Sequence, residues 1–342
     1  MIEGTSKRKT VVVTGSVAYD YLMSFPGKFV DVIVPDRLHR LSVSFLVDEM
    51  RKVRGGVAPN IAYNLALLGA SPAVLASAGA DAVEYRDWLR SEGVDVSEMV
   101  IHKDVFTASF FVSTDMEQNQ IATFYAGAMA RAASLSFRSL EHVGIALAVI
   151  SPNDPAAMGA HARECREMGI PFVYDPSQQL ARLSREEILD GLEGAEILIG
   201  NEYEFGILEK KTDLAETELL ARVPVVIITS GAEGSTITLR GGSPEAPKGA
   251  VTMRVPAAAV RGEAVDPTGV GDAFRAGLIA ARLRGLPWTV AGRVGAVAAV
   301  FALESLGPQP ERYTPESFVA RYRENFSLDG PHAGVAELWA PG

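Results

Sequence analysis

The hydrophobic positions of the chain form short continuous runs, separated by longer stretches with helical spacing. The runs are rich in β-branched residues and are bounded by polar or glycine residues: residues 10–14, 73–76, 146–151, 172–175, 196–200 and 225–230. Apolar strands that alternate with helices are typical of a parallel sheet covered by helices on both faces. Polar side chains then gather at the carboxyl ends of the strands, where the sequence has Asp20, Asp175, Asn201 and Thr229.

Some segments depart from this rhythm. Residues 41–47 alternate between apolar and polar positions, and residues 107–114 and 120–125 flank a polar turn in the manner of a hairpin. We expect them to form a small antiparallel sheet, inserted into the main domain as a lid built from about residues 19–54 and 104–128. Since no repeat or linker divides the chain, residues 1–342 are expected to be a single domain.

Composition narrows the classes of function. The 342 residues are 48% hydrophobic and carry a formal net charge of -10, which disfavours nucleic acid or an anionic membrane as a general partner. No apolar stretch approaches the ~20 residues needed to cross a bilayer, and the single cysteine, Cys165, has no partner for an internal disulfide. We therefore expect a cytoplasmic protein that acts on small molecules, without nucleic acid or membrane as partners.

The strongest local signal is Asp266-Pro-Thr-Gly-Val-Gly-Asp272, a glycine turn that leads into an apolar-periodic helix. Glycines let backbone N–H groups approach an anion, and the start of a helix adds partial positive charge. Asp272 would repel a phosphate there unless it accepts the proton of an attacking hydroxyl. It could equally be a helix N-cap, and spacing alone leaves both interpretations open.

This turn, together with Gly55-Gly-Val-Ala-Pro-Asn60, resembles the two signatures of the ribokinase family, also called the PfkB carbohydrate-kinase family. The resemblance implies a ribokinase-like three-layer α/β/α domain with a mostly parallel sheet and a β lid. It also implies an ATP-dependent kinase in which Asp272 is the catalytic base. Gly269, Val270 and Gly271 would then form an anion hole for the transferred phosphoryl group.

The resemblance extends to nucleotide and metal sites. Asn201-Glu-Tyr-Glu204 is similar to the family's Asn-x-x-Glu motif, which organises Mg²⁺ and the phosphates, although the same spacing also fits a helix capping box. The remaining candidates are matched by position: Thr229, Gly231 and Gly234 for ATP, and Asp266, Thr268, Ala302 and Ser305 for a monovalent cation such as K⁺.

On the acceptor side, Asp20 matches the carboxylate that grips vicinal hydroxyls in this family. A carboxylate can accept two hydrogen bonds from a cis-diol, which either a sugar or a ribonucleoside supplies. Further positions on the sugar side are Ser16, Gly55, Gly56 and Asn60. These residues therefore indicate a ribose-like group without naming the molecule that carries it.

The segment Tyr174-Asp-Pro-Ser-Gln-Gln179 indicates the acceptor class. Sugar kinases of the family usually have Asp-x-Asn-x-Arg here, whereas the Gln178 and Gln179 pair resembles bacterial adenosine kinases, particularly the actinobacterial type. Phe110 and Phe124 match positions that sandwich adenine, and Arg182 could neutralise phosphate charge.

We therefore expect adenosine to be phosphorylated by ATP at its 5′-hydroxyl, giving AMP. A sugar kinase of the ribose or fructose type and a broader nucleoside kinase remain the alternatives. The resemblance further implies a homodimer formed through the lid, since the edge of a small sheet needs cover.

Overall fold

The computed structural model describes residues 10–33, 40, 42–140 and 143–340. The strands of this part of the chain are β1 Thr10–Thr14, β2 Ala18–Ser24, β3 Glu49–Gly55, β4 Ser71–Gly79, β5 Met99–His102, β6 Ala108–Thr114, β7 Gln120–Tyr125, β8 Ile145–Ile150, β9 Phe172–Tyr174, β10 Ile197–Asn201, β11 Val225–Thr229, β12 Ser235–Leu239 and β13 Val251–Val255. The predicted apolar runs correspond to β1, β4, β8, β9, β10 and β11, with boundaries that differ by a few residues.

The main sheet has nine strands in the order β13-β12-β11-β10-β9-β8-β1-β4-β5. Seven neighbouring strands of this sheet, β5, β4, β1, β8, β9, β10 and β11, run parallel to one another. At the other end, β12 pairs antiparallel with β11, and β13 pairs antiparallel with β12. Thr14, Asn201 and Thr229 therefore end parallel strands at the same edge of the sheet. Asp175 follows β9 at this edge, whereas the expectation for Asp20 is wrong, because Asp20 lies within β2, which is not a strand of this sheet.

The helices are α1 Phe29–Val32, α2 Val57–Leu67, α3 Val83–Ser91, α4 Pro155–Met168, α5 Arg185–Leu192, α6 Glu202–Thr212, α7 Glu216–Arg222, α8 Val270–Leu283, α9 Trp288–Leu303 and α10 Pro315–Asn325. Shorter 3₁₀ segments lie at Ala80–Ala82, Gly127–Ser134, Phe137–Leu140, Ser177–Ala181, Gly231–Glu233 and Gly330–Glu337. No helix in the described ranges is both long and apolar enough to span a membrane.

Helices cover both faces of the main sheet because its strands are apolar on both sides. Val11 and Val13 of β1 belong to the buried apolar cluster that includes α2, α8 and α9, whereas Val12 belongs to the cluster that includes α4, α5 and α6. Gly277 of α8 lies against Gly295 of α9, where an added Cβ would come 2.8 Å from the Gly295 Cα atom. This close contact fixes α8, which carries the glycine turn at its start.

The second sheet has four strands in the order β3-β2-β6-β7. Its outer pairs, β2 with β3 and β6 with β7, are antiparallel, and its central pair, β2 with β6, is parallel. All four strands fall within or at the borders of the segments predicted for the lid. The hairpin predicted at residues 107–114 and 120–125 is therefore present as β6 and β7.

The strand predicted from the alternation at residues 41–47 is wrong for residues 42–47, and Leu41 lies outside the described residues. Phe45 instead packs edge-on against the rings of Phe25 and Phe29, at 5.2 and 4.8 Å between centroids. The alternation therefore reflects a loop with one inward ring. The edge strand next to β2 is β3, whose sequence Glu-Met-Arg-Lys-Val-Arg-Gly is too polar to have been recognised.

Candidate active site

The glycine turn ends at Gly269, which has a positive φ of 77° and directly precedes α8. A side chain there would be strained and would also collide with Pro308, whose Cα would lie 2.6 Å from the added Cβ. Because Gly269 is the N-cap, Asp272 lies inside the first turn of α8 and is not a cap. The capping interpretation of Asp272 is therefore wrong, and its carboxylate is available for another purpose.

The carboxylate of Asp272 accepts a hydrogen bond from the Asn60 side-chain amide, with 2.9 Å between Nδ2 and Oδ2. Burial raises the pKa of Asp272 to about 7, although the nearby Arg275 guanidinium and the Asn60 hydrogen bond act in the opposite direction. A general base works best when its pKa is close to the working pH. The position and raised pKa of Asp272 agree with the predicted role of general base, which stays a prediction.

A cavity of 680 Å³ opens beside the glycine turn. Of the residues predicted for phosphates and nucleotide, those that line it are Asn201, Glu204, Thr229, Gly231, Gly234, Gly269, Val270, Gly271 and Asp272. The opposite wall is largely apolar and was missed: Pro256, Ala257, Ala258, Val260, Phe274, Ala296, Ala299, Val300 and Leu303. A flat aromatic ring fits such a wall, and a phosphate chain fits the turn.

Asn201 and Glu204 form the capping box of α6. The Asn201 side chain accepts from the Glu204 amide and the Glu204 side chain accepts from the Asn201 amide, both at 2.8 Å, while the other Glu204 oxygen accepts from the Ser177 hydroxyl. In the described ranges, no group of three or more His, Cys, Asp or Glu could hold a metal ion. The role of Asn201 and Glu204 toward Mg²⁺ stays a prediction, in which water would lie between these side chains and the ion.

Three of the residues predicted for the sugar and base, Asp20, Phe110 and Phe124, lie on the small sheet. Asp20 of β2 is directly opposite Phe110 of β6, and Phe110 is directly opposite Phe124 of β7. Because opposed residues of paired strands point to the same face, the three side chains share one face of the sheet. Phe124 is 47% exposed, so this face leaves an aromatic ring accessible.

Gly55 and Gly56 give Asp20 its room. A Cβ on Gly55 would lie 2.6 Å from the Asp20 Oδ2 atom, and Gly56 has a φ of 93° and no space for a side chain. Burial, reinforced by the charge of Asp266, raises the pKa of Asp20 to about 6. Ser16 has a structural contact, because its hydroxyl accepts from the Val57 amide at 3.2 Å where α2 begins.

A chain of hydrogen bonds holds Asn60 in place, and sequence reasoning missed most of it. Asn60 Oδ1 accepts from the Gln309 amide nitrogen at 3.2 Å, and the same nitrogen lies 2.5 Å from the Tyr85 hydroxyl. Tyr85 in turn donates to the Gly55 carbonyl at 3.0 Å. Asp272, the predicted base, is thus connected through hydrogen bonds to the Gly-Gly turn beside Asp20.

The comparisons with known proteins agree with this geometry. A model of the pfkB family of carbohydrate kinases matches residues 14–314. The chain belongs to this family. A nucleoside kinase of Methanothermobacter thermautotrophicus is 30% identical over 330 residues, which cover 95% of this chain and 99% of that relative.

Solved structures support the same placement within the pfkB family. The Burkholderia thailandensis nucleoside kinase in complex with inosine has a TM-score of 0.79 and 33% identity, covering 92% of this chain and 98% of its own. The Methanocaldococcus jannaschii nucleoside kinase, an archaeal member of the ribokinase family, has a TM-score of 0.78 and 25% identity, covering 94% and 100%. The predicted ribokinase-like fold is confirmed.

Three residues predicted to bind the nucleoside make no hydrogen bond or ion pair with Asp20 or Asp272 in the described part of the chain. Gln178 and Arg182 are exposed, and Gln179 is buried with no hydrogen-bond partner for its Oε1 atom in the described part of the chain. Within the same described ranges, no hydrogen bond or ion pair connects these three side chains to Asp20 or Asp272. Their assignment to the nucleoside stays a prediction.

The predicted cation-binding segments of this pfkB-family chain do lie side by side. Asp266 accepts from the amides of Thr268, at 2.8 Å, and Gly307, at 3.0 Å. The Ala302 carbonyl accepts from the Ser305 amide, and the Ser305 hydroxyl donates to the Phe301 carbonyl. Asp266 therefore ties the two segments together, and the monovalent cation remains a prediction.

Proposed function

We propose that this chain is a nucleoside kinase that transfers the γ-phosphoryl group of ATP to the 5′-hydroxyl of purine nucleosides, with adenosine as an acceptor. The observation that carries the proposal is the position of Asp272. It lines a cavity of nucleotide size and is hydrogen-bonded to Asn60, which follows the glycine turn next to Asp20. Asp272 therefore lies between the cavity, where ATP would bind as the phosphoryl donor, and the small sheet, where the acceptor nucleoside would bind.

In the proposed reaction, Asp272 accepts the proton of the 5′-hydroxyl as the oxygen attacks phosphorus. The backbone N–H groups of residues 269–271, at the start of α8, stabilise the charge on the moving phosphoryl group. Asn60 keeps the Asp272 carboxylate in one orientation. Asn201 and Glu204 would hold Mg²⁺ through water, and this ion would neutralise phosphate charge when bound.

The small sheet favours a nucleoside over a free sugar. Asp20 can accept two hydrogen bonds from the ribose diol, and Phe110 and Phe124 on the same face offer rings on which a base can stack. A free sugar lacks the planar base that would stack on these rings. The relatives named above are called nucleoside kinases, and one of them was solved with inosine, which supports a purine acceptor.

Adenosine is the finer part of the proposal. Stacking alone is tolerant of the base, so the preference rests on the Gln178 and Gln179 segment and its likeness to actinobacterial adenosine kinases. Buried Gln179 has an Oε1 atom without a partner in the described residues, and such an atom can accept from a ligand amino group. Adenine carries that amino group and hypoxanthine does not.

The proposal is tested by a coupled ADP-release assay with adenosine, inosine, guanosine, ribose and fructose, using Asp272→Asn as the blank. We expect turnover with purine nucleosides, adenosine among them, and little with either sugar. Sugars turning over faster than every nucleoside would replace the proposal with a sugar kinase. Turnover of inosine without adenosine would retain the nucleoside kinase and remove only the adenosine assignment.

We also propose that two copies associate through their small sheets. Every residue of β7 is exposed, and the face opposite Asp20 carries exposed apolar side chains, Met50, Phe111 and Ile121. An uncovered edge of this kind favours strand pairing with another chain. Sedimentation equilibrium should give a dimer that Ile121→Lys dissociates, and a monomer throughout the micromolar range would contradict the proposal.

A further inference from the structure

Arg275 is a buried cation in the middle of helix α8. Its Nε atom lies 2.5 Å from Asp175 Oδ2 and its Nη2 atom lies 2.7 Å from Asp175 Oδ1. Only 8% of the Arg275 side chain and 1% of the Asp175 side chain are exposed. The Nη2 contact is a hydrogen bond, whereas the Nε contact is a close ion pair without hydrogen-bond geometry. Together they hold the Arg275 guanidinium group against Asp175.

The remaining nitrogen of this guanidinium group, Nη1, faces the glycine turn. An added Cβ on Gly271 would lie 2.7 Å from Nη1, which places this nitrogen beside the backbone of the proposed anion hole. Arg275 lines the cavity together with Gly271 and Asp272. In the described part of the chain, no hydrogen bond involves Nη1, whereas Nε and Nη2 are directed at Asp175. Its N–H donors are therefore available to a molecule in the cavity.

The charges around the cavity indicate what a buried arginine contributes. The Asp272 and Glu204 carboxylates also line the cavity, where they would repel a bound phosphate chain. Asp175 already holds Arg275, so the pair itself is close to neutral. Among the described residues, Arg275 is the one positively charged side chain that lines this cavity. The backbone amides at the start of α8 add partial positive charge there.

We propose that Arg275 Nη1 donates a hydrogen bond to the phosphoryl group that is transferred, and that Asp175 is the positioning residue that aims it. The inference rests on the proposed function. In the step, the bond from γ-phosphorus to the oxygen it shares with the β-phosphate breaks, and a bond to the acceptor hydroxyl oxygen forms. The hydroxyl proton goes to Asp272, and the electron pair leaves with ADP. Arg275 neither gains nor loses a proton.

The test uses the double variant Arg275→Met/Asp175→Asn. Arg275→Met alone would leave a buried, unpaired carboxylate and could fail to fold, whereas the double variant replaces both charges with neutral groups of similar size. Arg282→Met is the matched control, because Arg282 lies on the same helix, is paired with Glu245 at 3.0 Å, and does not line the cavity.

We expect the folded double variant to lose about 10²–10³-fold in kcat, the effect of removing one donor to transition-state charge, while the KM for nucleoside changes by less than about threefold. Calorimetric titration without acceptor should show weaker ATP binding relative to ADP binding. Arg282→Met should match the wild type in each measurement.

A purely structural pair predicts the opposite result. A folded double variant with wild-type kcat and an unchanged ratio of ATP to ADP affinity would overturn the inference. Because nucleotide binding is measured without an acceptor, it tests the Arg275 contact even if no nucleoside turns over. Absence of turnover by the wild-type protein would instead count against the proposed function.

Discussion

The donor side and the acceptor side of this molecule are built in different ways. The donor cavity is enclosed by the main sheet and by α8 and α9, whose contact through Gly277 and Gly295 leaves little freedom. The acceptor face belongs to the four-stranded sheet, where Phe124 is almost half exposed and β7 is exposed along its whole length. Under the proposed function, this difference means that the core would fix the phosphoryl chemistry, while the small sheet would select the molecule that receives the phosphate.

Among substitutions on the two sides of the site, Asp272→Asn should lower kcat the most. The amide keeps the shape of the side chain but cannot accept the hydroxyl proton, so we expect kcat to fall by at least about 10²–10⁴-fold. Equilibrium binding of adenosine should change little, because Asp272 acts on the reaction and not on the base. A kcat within severalfold of the wild type would remove Asp272 from the catalytic role.

The pH dependence of kcat/KM should follow the raised carboxyl pKa values. Asp272, with a pKa of about 7, is active only when ionised, so the rate should fall about tenfold per pH unit below that value. Below about pH 6 Asp20 also becomes protonated, and the fall should steepen. A profile that is flat from pH 8 to pH 5 would show that neither carboxylate must be ionised.

Asp20→Asn tests whether Asp20 binds the ribose diol of the acceptor. Losing charged hydrogen bonds to the ribose diol, each worth about 1.5–3 kcal/mol, should lower kcat/KM by about 10–100-fold or more. The loss should be smaller for a 2′-deoxynucleoside, which already lacks one hydroxyl. Exposed Asp31→Asn is the control. An equal loss for both nucleosides would argue against contact with the diol.

Phe124→Ala separates base recognition from catalysis. Base stacking contributes about 1–3 kcal/mol, so the KM for nucleosides should rise about 5–150-fold while the nucleotide KM stays constant. Phe111→Ala is a close control, because Phe111 stacks on Tyr21 on the opposite face of the same sheet. Equal effects of the two substitutions would indicate loss of sheet stability or of the proposed association between copies, and not of base contact.

Gln309→Leu should give the smallest effect. It removes one hydrogen bond that positions Asn60 and leaves the contact between Asn60 and Asp272 in place. A neutral hydrogen bond is worth about 1 kcal/mol, so kcat should fall by no more than about tenfold. A loss as large as that of Asp272→Asn would mean that Gln309 contacts the reacting groups directly.

The two regions also differ in what the sequence could predict. The strands of the main sheet are continuous β-branched runs, and the glycine turn is recognisable because phosphate binding needs unobstructed backbone amides. The polar edge strand β3 has no such pattern, and the alternation before it belongs to a loop that packs Phe45. Local patterns thus predict buried elements better than exposed ones.

Side-chain contacts between residues that are distant along the chain could not be predicted, for a different reason. Arg275 and Asp175 are 100 residues apart, and Gln309 is 249 residues from Asn60. Neither pair has a spacing that indicates contact. An arginine within an apolar helix is the only sequence signal for a buried ion pair, and it does not identify the partner.

The most direct test of the account is to identify the product formed from ATP and a purine nucleoside by ³¹P NMR, with Asp272→Asn protein as the blank. We predict the nucleoside 5′-monophosphate together with one equivalent of ADP, formed by the wild-type protein only. Phosphorylation of a free sugar with no nucleoside monophosphate, or equal product from the Asp272→Asn protein, would contradict the account.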